Sequence, residues 1–366
     1  MNDSKITSKE AISLIFSVIV AHSLISLPRN FIVTQKSAVI INIVYVSIIA
    51  IALIFIICKL LRNFPGKDIL DISAFLGGKI FRTILGAIFI VYLSISSSIL
   101  LRSLCDGLKV IYYANTNILF IISLFIVAII TVNRLNFSAS LKTNLLILPI
   151  LLLSMVFLFT ANIKNFSPER IFPILGEGNF NTFVTGLGNL SAFSGIFFLY
   201  FLPSLLKEPK KLKKIAILSV TITAIYLLVT IAILLFMFAF FINIDEIMPL
   251  YSAARNIEFG SFFQRLESVF LLIWIIAFCS YLSIVMNFSM QIFKKIANLK
   301  DIKPLAYPFG LIILGIALFP KNYSNSKFFI TSIYPCLVLG IVFILSILIL
   351  FLASIKKKKK VGDYNE

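Results

Sequence analysis

The stretch "AISLIFSVIVAHSLISLPRN", residues 11–30, decides the fold of this protein. It begins as an uncharged apolar run suited to lipid, and a histidine, two serines and Leu-Pro-Arg then follow. A plain membrane anchor gains nothing from these polar groups, because an unsatisfied polar group in lipid costs free energy. The stretch therefore predicts a membrane helix that is interrupted, and the purpose of the break depends on the rest of the chain.

The composition excludes a soluble protein. The chain has 366 residues, of which 60% are hydrophobic and 13% charged, with a mean hydropathy of +1.05. A soluble domain could not hide so much apolar surface. We therefore predict an all-α polytopic membrane protein, with residues 1–366 forming a single membrane domain.

Ten charge-poor apolar runs of bilayer-spanning length predict ten transmembrane helices, numbered here as spans 1 to 10. In chain order they lie at 11–28, 37–58, 83–101, 117–133, 143–162, 186–206, 215–242, 266–290, 305–320 and 328–355. Of the 33 lysines and arginines, 23 fall on the side of the N-terminus and 10 on the other side. By the positive-inside rule, both termini are predicted to be cytoplasmic.

The basic residues predict a membrane partner and no nucleic acid. The net charge of +18 is spread over short clusters between spans and does not form one basic face. The last stretch, 356–366, begins with five lysines and is predicted to be a basic cytoplasmic tail that favours the lipid bilayer. Arg102 and Asp106 are four apart, so they are expected to pair along one face of span 3.

Nothing in the sequence predicts an enzyme. It has no nucleophile–base set, no metal-binding cluster and no phosphate-binding loop, so we expect no catalytic residue, no metal and no cofactor. The four cysteines are widely spaced, which is not a zinc or disulfide pattern, and they are expected to be small packing residues.

Ten spans divide into five plus five, and an odd number per half inserts the second half upside down. This inverted repeat is the plan of many transporters, in which the first helix of each half is broken near the midplane. The predicted repeats cover about 7–162 and about 180–355. Span 1 is interrupted by "AHSLISLP", and span 6 reads "GLGNLSAFSGIFFLYFLP", 186–203. The alternative is that these small residues only allow helices to approach closely.

The two breaks predict a ligand site in a central cavity. A small zwitterion, most simply an amino acid, is expected there, because half-helix N-termini suit a carboxylate and free carbonyls suit an ammonium group. The candidate ligand-binding residues are Ala21, His22, Ser23 and Ser26 on span 1; Phe193, Ser194 and Gly195 on span 6; and Ser97 and Trp274 on spans 3 and 8. For His22, a hydrogen-bonded core histidine is the alternative to ligand contact.

Several stretches resemble the endospore germination permease family, within the amino acid/polyamine/organocation permease superfamily. They are "SLPR" after span 1, "FPILGEGNFNTFVTGLGN" (172–189), "FLPSLLKEPKKLKK" after span 6 and "QRLESVFLLIWIIAF" (264–278). Members of this family are the B subunits of spore germinant receptors. The resemblance implies the five-plus-five permease fold and a place in the spore inner membrane. It also implies partnership with an A subunit and a lipoprotein C subunit, and the sensing of small nutrients.

Three functions remain open from the sequence. The first is a nutrient-sensing receptor subunit for a small-molecule germinant. The second is an ion-coupled amino-acid permease that carries out transport. Because proton coupling usually recruits carboxylates or histidines within the membrane, and only His22 is available, proton symport is the weaker form of this alternative. The third is an assembly scaffold whose pocket binds nothing.

Overall fold

The computed structural model describes residues 5–25, 27–135, 137–238, 248–257 and 265–362. Over these ranges the chain is almost entirely helical, and each of the ten predicted spans coincides with a helix. The helices are Ser8–Ile25, Val39–Leu61, Ile69–Ile111, Ile118–Leu135, Phe137–Ala161, Thr185–Tyr200, Leu212–Met237, Leu266–Ala297 and Ala306–Leu318, followed by 323–362 for span 10.

Within the described ranges, eight helical stretches are long and apolar enough to cross a membrane. Span 1 and span 9 complete the ten. The first turn of span 1 carries Glu10, and span 9 has only 13 residues. At about 1.5 Å per residue, span 9 is about 20 Å long, which is shorter than the hydrocarbon layer.

The contacts between spans repeat when each span is exchanged for the span five places later. Spans 1 and 6, 2 and 7, 3 and 8, and 4 and 9 pack against each other. Span 1 also packs on spans 5 and 7, just as span 6 packs on spans 10 and 2. This arrangement agrees with the predicted five-plus-five inverted repeat. The exact limits of each repeat stay a prediction.

Span 3 is longer than its apolar run and has a sharp bend near its start. The Asp68 side chain caps the helix by accepting hydrogen bonds from the backbone N–H groups of Leu70 and Asp71, both at 3.0 Å. The helix is then interrupted at Gly77 and Gly78, and Gly78 has a φ of +71°, a conformation that glycine adopts without a steric penalty. The bend separates a short segment, residues 69–76, which we call the strap helix.

At its other end, span 3 extends ten residues beyond the predicted limit and carries the predicted ion pair. Arg102 Nε lies 2.9 Å from Asp106 Oδ1, and Arg102 Nη1 donates to the carbonyl oxygen of Ala317 on span 9 at 3.2 Å. Both charged side chains are buried. Because they neutralise each other, the helix continues to Ile111 although the sequence is no longer purely apolar.

Candidate functional site

Span 6 is irregular near its middle, at one of the two places where the sequence predicts a break. In span 1, Ser8–Ile25 and Leu27–Gln35 are helical, and Ser26, where the predicted interruption falls, lies outside the described residues. Span 6 is wound as a 3₁₀ helix in which Phe193 departs from helical geometry, with φ −93° and ψ 24°. Long 3₁₀ stretches are uncommon, because their hydrogen bonds are poorer than those of an α-helix.

Three buried side chains from three spans form a hydrogen-bonded chain beside the irregular turn of span 6. The Tyr334 hydroxyl of span 10 lies 2.8 Å from His22 Nε2 and 2.7 Å from Ser194 Oγ. A phenol has one proton, so it donates to one neighbour and accepts from the other. The rings of His22 and Tyr334 also lie close together, with centroids 4.6 Å apart. This chain joins the first helix of each half to span 10.

Span 10 is itself irregular around Tyr334. Residues 329–333 and 338–345 form π-helical turns on either side of it. Pro335 follows Tyr334 directly and has no N–H to donate to the preceding turn, which loosens the regular α-helical ladder. Because π-helical turns within a helix are often found at functional sites, Tyr334 is a candidate functional residue.

His22 and Tyr334 lie at the floor of a cavity of about 590 Å³, which we call the distal cavity. It opens on the face opposite the termini, where exposed rim residues such as Thr34 and Thr331 meet solvent. Its walls come from helix Leu27–Gln35, the segment 177–191 and the start of span 10. This volume falls within the roughly 300–1,000 Å³ of small-molecule sites.

Among the described residues, two cations and one acid line the distal cavity. Arg29 and Lys327 line it, as does Glu177, whose carboxylate pairs with Lys36. Arg29 is buried and also donates from Nη1 to the hydroxyl of Tyr323 at 3.1 Å. An excess of cations at the mouth of a cavity attracts anionic groups, because the low-dielectric walls focus the field.

On the terminal side of the bundle, the strap helix is held at both ends by lysines. At its N-terminal end, Lys295 Nζ of span 8 lies 2.6 Å from Asp68 Oδ2 and 2.7 Å from Asp71 Oδ1. At its C-terminal end, Lys356 Nζ of span 10 donates to the Leu76 carbonyl oxygen at 2.7 Å. Cations at the C-terminal carbonyls of a helix compensate its dipole. The two lysines therefore tie the strap helix to spans 8 and 10.

A backbone contact lies on the same side, near the start of span 1. Ile6 donates its N–H to the Leu205 carbonyl oxygen at 2.9 Å, and its own carbonyl accepts from the N–H of Lys207 at 3.1 Å. The segments before span 1 and after span 6 are thus joined. The structure therefore has a cavity open to the distal face, and these contacts hold segments together on the terminal face.

Of the three predicted span 1 residues that the structure describes, His22 lines the distal cavity and the other two do not. Ala21 is buried among apolar side chains. Ser23 donates to the Val20 carbonyl oxygen at 2.9 Å, and its Oγ lies 3.0 Å from the Tyr226 hydroxyl of span 7. Ser26 lies outside the described residues.

The other predicted residues surround this centre without lining the cavity. Phe193 is buried at the irregular turn, and Ser97 Oγ donates back to the Leu93 carbonyl oxygen of its own helix at 2.8 Å. Gly195 lies against the backbone of span 1, since a Cβ added there would be 2.4 Å from the Ile15 carbonyl oxygen. Trp274 is buried, and its indole N–H has no hydrogen-bond partner among the described residues.

Sequence reasoning missed Tyr334 and Tyr226, which bind the predicted histidine and serine. The available signal was a tyrosine in the middle of an apolar run, because a buried hydroxyl needs a partner. It also missed the buried contact in which Asn189 Nδ2 donates to Asn42 Oδ1 at 2.6 Å. These pairs are far apart in the chain, so no local pattern connects them.

Two solved transporters share this fold. One is Mhp1, a nucleobase-cation-symport-1 family transporter, in a closed conformation with bromovinylhydantoin bound. It superposes with a TM-score of 0.65 at 13% identity, and the match covers 94% of this chain and 78% of that chain. A mutant of the Eremococcus coleocola manganese transporter gives a TM-score of 0.52 at 15% identity, covering 94% and 77%. Both likenesses concern the fold alone.

The relatives in sequence are spore germination proteins of Bacillus subtilis (strain 168). Spore germination protein YndE is 22% identical over 364 residues, which is 97% of this chain and 98% of that protein. Spore germination protein B2 is 22% identical over 236 residues, which is 64% of each chain. The family model described as "Spore germination protein" matches residues 5–326. With its ten-helix permease fold, the chain belongs to the spore germination protein family.

Proposed function

We propose that this protein is the nutrient-sensing membrane subunit of a spore germination receptor, and that its germinant binds in the distal cavity. The observation that carries the proposal is the buried chain of His22, Tyr334 and Ser194 at the cavity floor. A ligand that contacts this floor acts on spans 1, 6 and 10 together. Binding energy at one point can therefore shift the relative positions of the two repeats.

The proposed germinant is a small zwitterion, most simply an amino acid. The interruption that the sequence predicts at "AHSLISLP" would supply free carbonyls for an ammonium group and free N–H groups for a carboxylate. The cations at the rim, Arg29 and Lys327, favour entry of the carboxylate end. His22 and Tyr334 offer neutral polar contacts at the floor, which need no buried acid to hold a charged nutrient.

The proposed setting follows from the family. The protein lies in the spore inner membrane with both termini cytoplasmic, and it works beside a membrane A subunit and a lipoprotein C subunit. The relatives named spore germination proteins support this setting, and the charge distribution between spans supports the orientation.

An ion-coupled permease is the second candidate. The observation that favours it is the likeness in fold to Mhp1, a transporter of the nucleobase-cation-symport-1 family. Uptake of labelled amino acids into proteoliposomes that contain the purified protein separates the two functions. A sensor binds without net uptake, whereas a permease accumulates label when an ion gradient is imposed.

The test of the sensing site is Tyr334→Phe, which removes one hydroxyl and no volume from the cavity floor. We expect thermal stabilisation by the twenty amino acids, tested one at a time, to identify a binder for the unmodified protein. Tyr334→Phe leaves His22 and Ser194 without their shared hydrogen-bond partner. Leaving a buried polar group unpaired costs about 1–3 kcal/mol. Binding should weaken by about one to two orders of magnitude.

The matched control is Tyr45→Phe. Tyr45 lies in span 2, where its ring packs edge to face against Phe183 with centroids 5.1 Å apart. This variant should bind and respond like the unmodified protein. Equal responses of spores that carry the two variants, at equal protein levels, would contradict the proposed site.

A further inference from the structure

A second cavity lies on the terminal face, between the end of span 2 and the start of span 7. Its volume is about 880 Å³, and we call it the terminal groove. The charged side chains in its lining are the four cations Lys59, Arg62, Lys210 and Lys213. Its apolar wall includes Phe55 and Ile56.

No carboxylate lines the terminal groove in the part of the chain that the structure describes. Glu208, the acid closest to it along the chain, pairs with Lys211 at 2.7 Å. Lys213 Nζ lies 4.3 Å from the ring centroid of Phe55, so the cationic and apolar parts of the lining touch each other. Four cations without an acid repel one another, and an anion between them relieves this repulsion.

The groove lies at the level where the two helices end. Span 2 ends at Leu61, and span 7 begins at Leu212 after the short turn Pro209–Lys211. The start of a 26-residue helix adds its own positive dipole end to the lysines. Phe55 lies four residues before Lys59, about 6 Å deeper in the membrane at the α-helical rise.

Phe55 and Ile56 are 45% and 48% exposed, so the apolar wall continues onto the lipid-facing surface. A ligand that fits this site has an anionic head and an apolar chain. We propose that the terminal groove binds an anionic phospholipid, with its phosphate among the four cations and an acyl chain against Phe55 and Ile56. The site is separate from the distal cavity and does not depend on the proposed function.

A lipid here would bridge spans 2 and 7. These two spans pack on each other and on spans 6 and 1, respectively. Occupation of the groove therefore stabilises the packing of span 2 against span 7. Because an empty groove keeps its four like charges together, removal of the lipid should lower the stability of the whole bundle.

The experiment measures thermal unfolding and native mass spectra of the full chain in detergent with added phosphatidylglycerol, phosphatidylcholine or inorganic phosphate. We expect phosphatidylglycerol to raise the melting temperature and to remain bound, while the other two have little effect. The triple variant Lys59→Gln, Arg62→Gln and Lys213→Gln should bind phosphatidylglycerol about a hundredfold more weakly, because each cation near an anionic lipid contributes about fivefold.

The matched control removes three cations from the same face at spans 8 and 9: Lys294→Gln, Lys300→Gln and Lys303→Gln. It should keep the full effect of phosphatidylglycerol. If both triple variants lose the effect equally, or if phosphatidylcholine stabilises as well as phosphatidylglycerol, the groove is not the site. Inorganic phosphate that stabilises as well as the lipid would also overturn the proposal, because it would show that the apolar wall has no part.

A second variant keeps the test decisive if the triple variant does not fold. Phe55→Gln retains all four cations and removes only the apolar contact and the ring beneath Lys213. Weaker binding of phosphatidylglycerol by at least fivefold supports the lipid site. Unchanged binding by this variant overturns it.

Discussion

Gly195→Ala tests whether the close contact between spans 1 and 6 holds the candidate site together. A Cβ added at Gly195 would lie 2.4 Å from the Ile15 carbonyl oxygen and 3.2 Å from the Ile15 carbonyl carbon. Ordinary van der Waals contact begins at about 3.4 Å, so the two spans have to separate by about 1 Å. Because the obstacle is backbone, no side chain can rotate away to make room.

The separation has a cost in stability and an effect on the site. Overpacking of this kind costs about 1–3 kcal/mol, whereas the higher helix propensity of alanine returns about 0.5–1 kcal/mol. Ser194 is the neighbour of Gly195, and its Oγ lies 2.7 Å from the Tyr334 hydroxyl. A shift of about 1 Å taken entirely at this bond lengthens it to about 3.7 Å, beyond hydrogen-bonding distance.

The control is Gly315→Ala in span 9, because a Cβ at Gly315 meets no atom within 4 Å and Gly315 does not line the distal cavity. The assay has two parts: thermal unfolding of the purified protein, and germination of spores that carry each variant after addition of the twenty amino acids. We expect Gly195→Ala to melt at a lower temperature and to respond weakly at a normal protein level, while Gly315→Ala behaves like the unmodified protein. Equal melting and equal response of the two variants would refute the reasoning.

Three further predictions concern the ends of the spans. Asp106→Asn leaves the buried Arg102 without its carboxylate and should destabilise the protein by about 3–5 kcal/mol in the thermal unfolding assay. The double variant Arg102→Met, Asp106→Leu should recover most of the lost stability in the same assay. Lys356→Ala removes the cation from the end of the strap helix and should lower stability by about 0.3–2 kcal/mol, while the exposed Lys358→Ala has no effect. In a variant without the native cysteines, Lys358→Cys should react only with membrane-permeant maleimides; labelling by an impermeant reagent in intact cells would reverse the orientation.

The sequence determined the fold and several of its local features. Apolar runs of bilayer length set the ten spans, because a helix in lipid must satisfy its backbone internally and carry few charges. Local sequence patterns also predicted the irregular turn of span 6, which lies at Phe193, and the ion pair of Arg102 and Asp106, four residues apart. Each of these features depends on residues that are close together in the chain, so the sequence alone is enough to predict it.

Only the tertiary structure decided which side chains meet. His22 and Ser194 were candidates from the sequence, but their connection through Tyr334 joins residues 312 and 140 positions apart. The strap helix is similar, since Lys295 and Lys356 reach it from spans 8 and 10. In lipid, the apolar surfaces of all spans are nearly equivalent, and small residues and polar contacts select the partners. That selection depends on the approach of whole helices, as at Gly195 and Ile15, and a pattern within one helix cannot contain it.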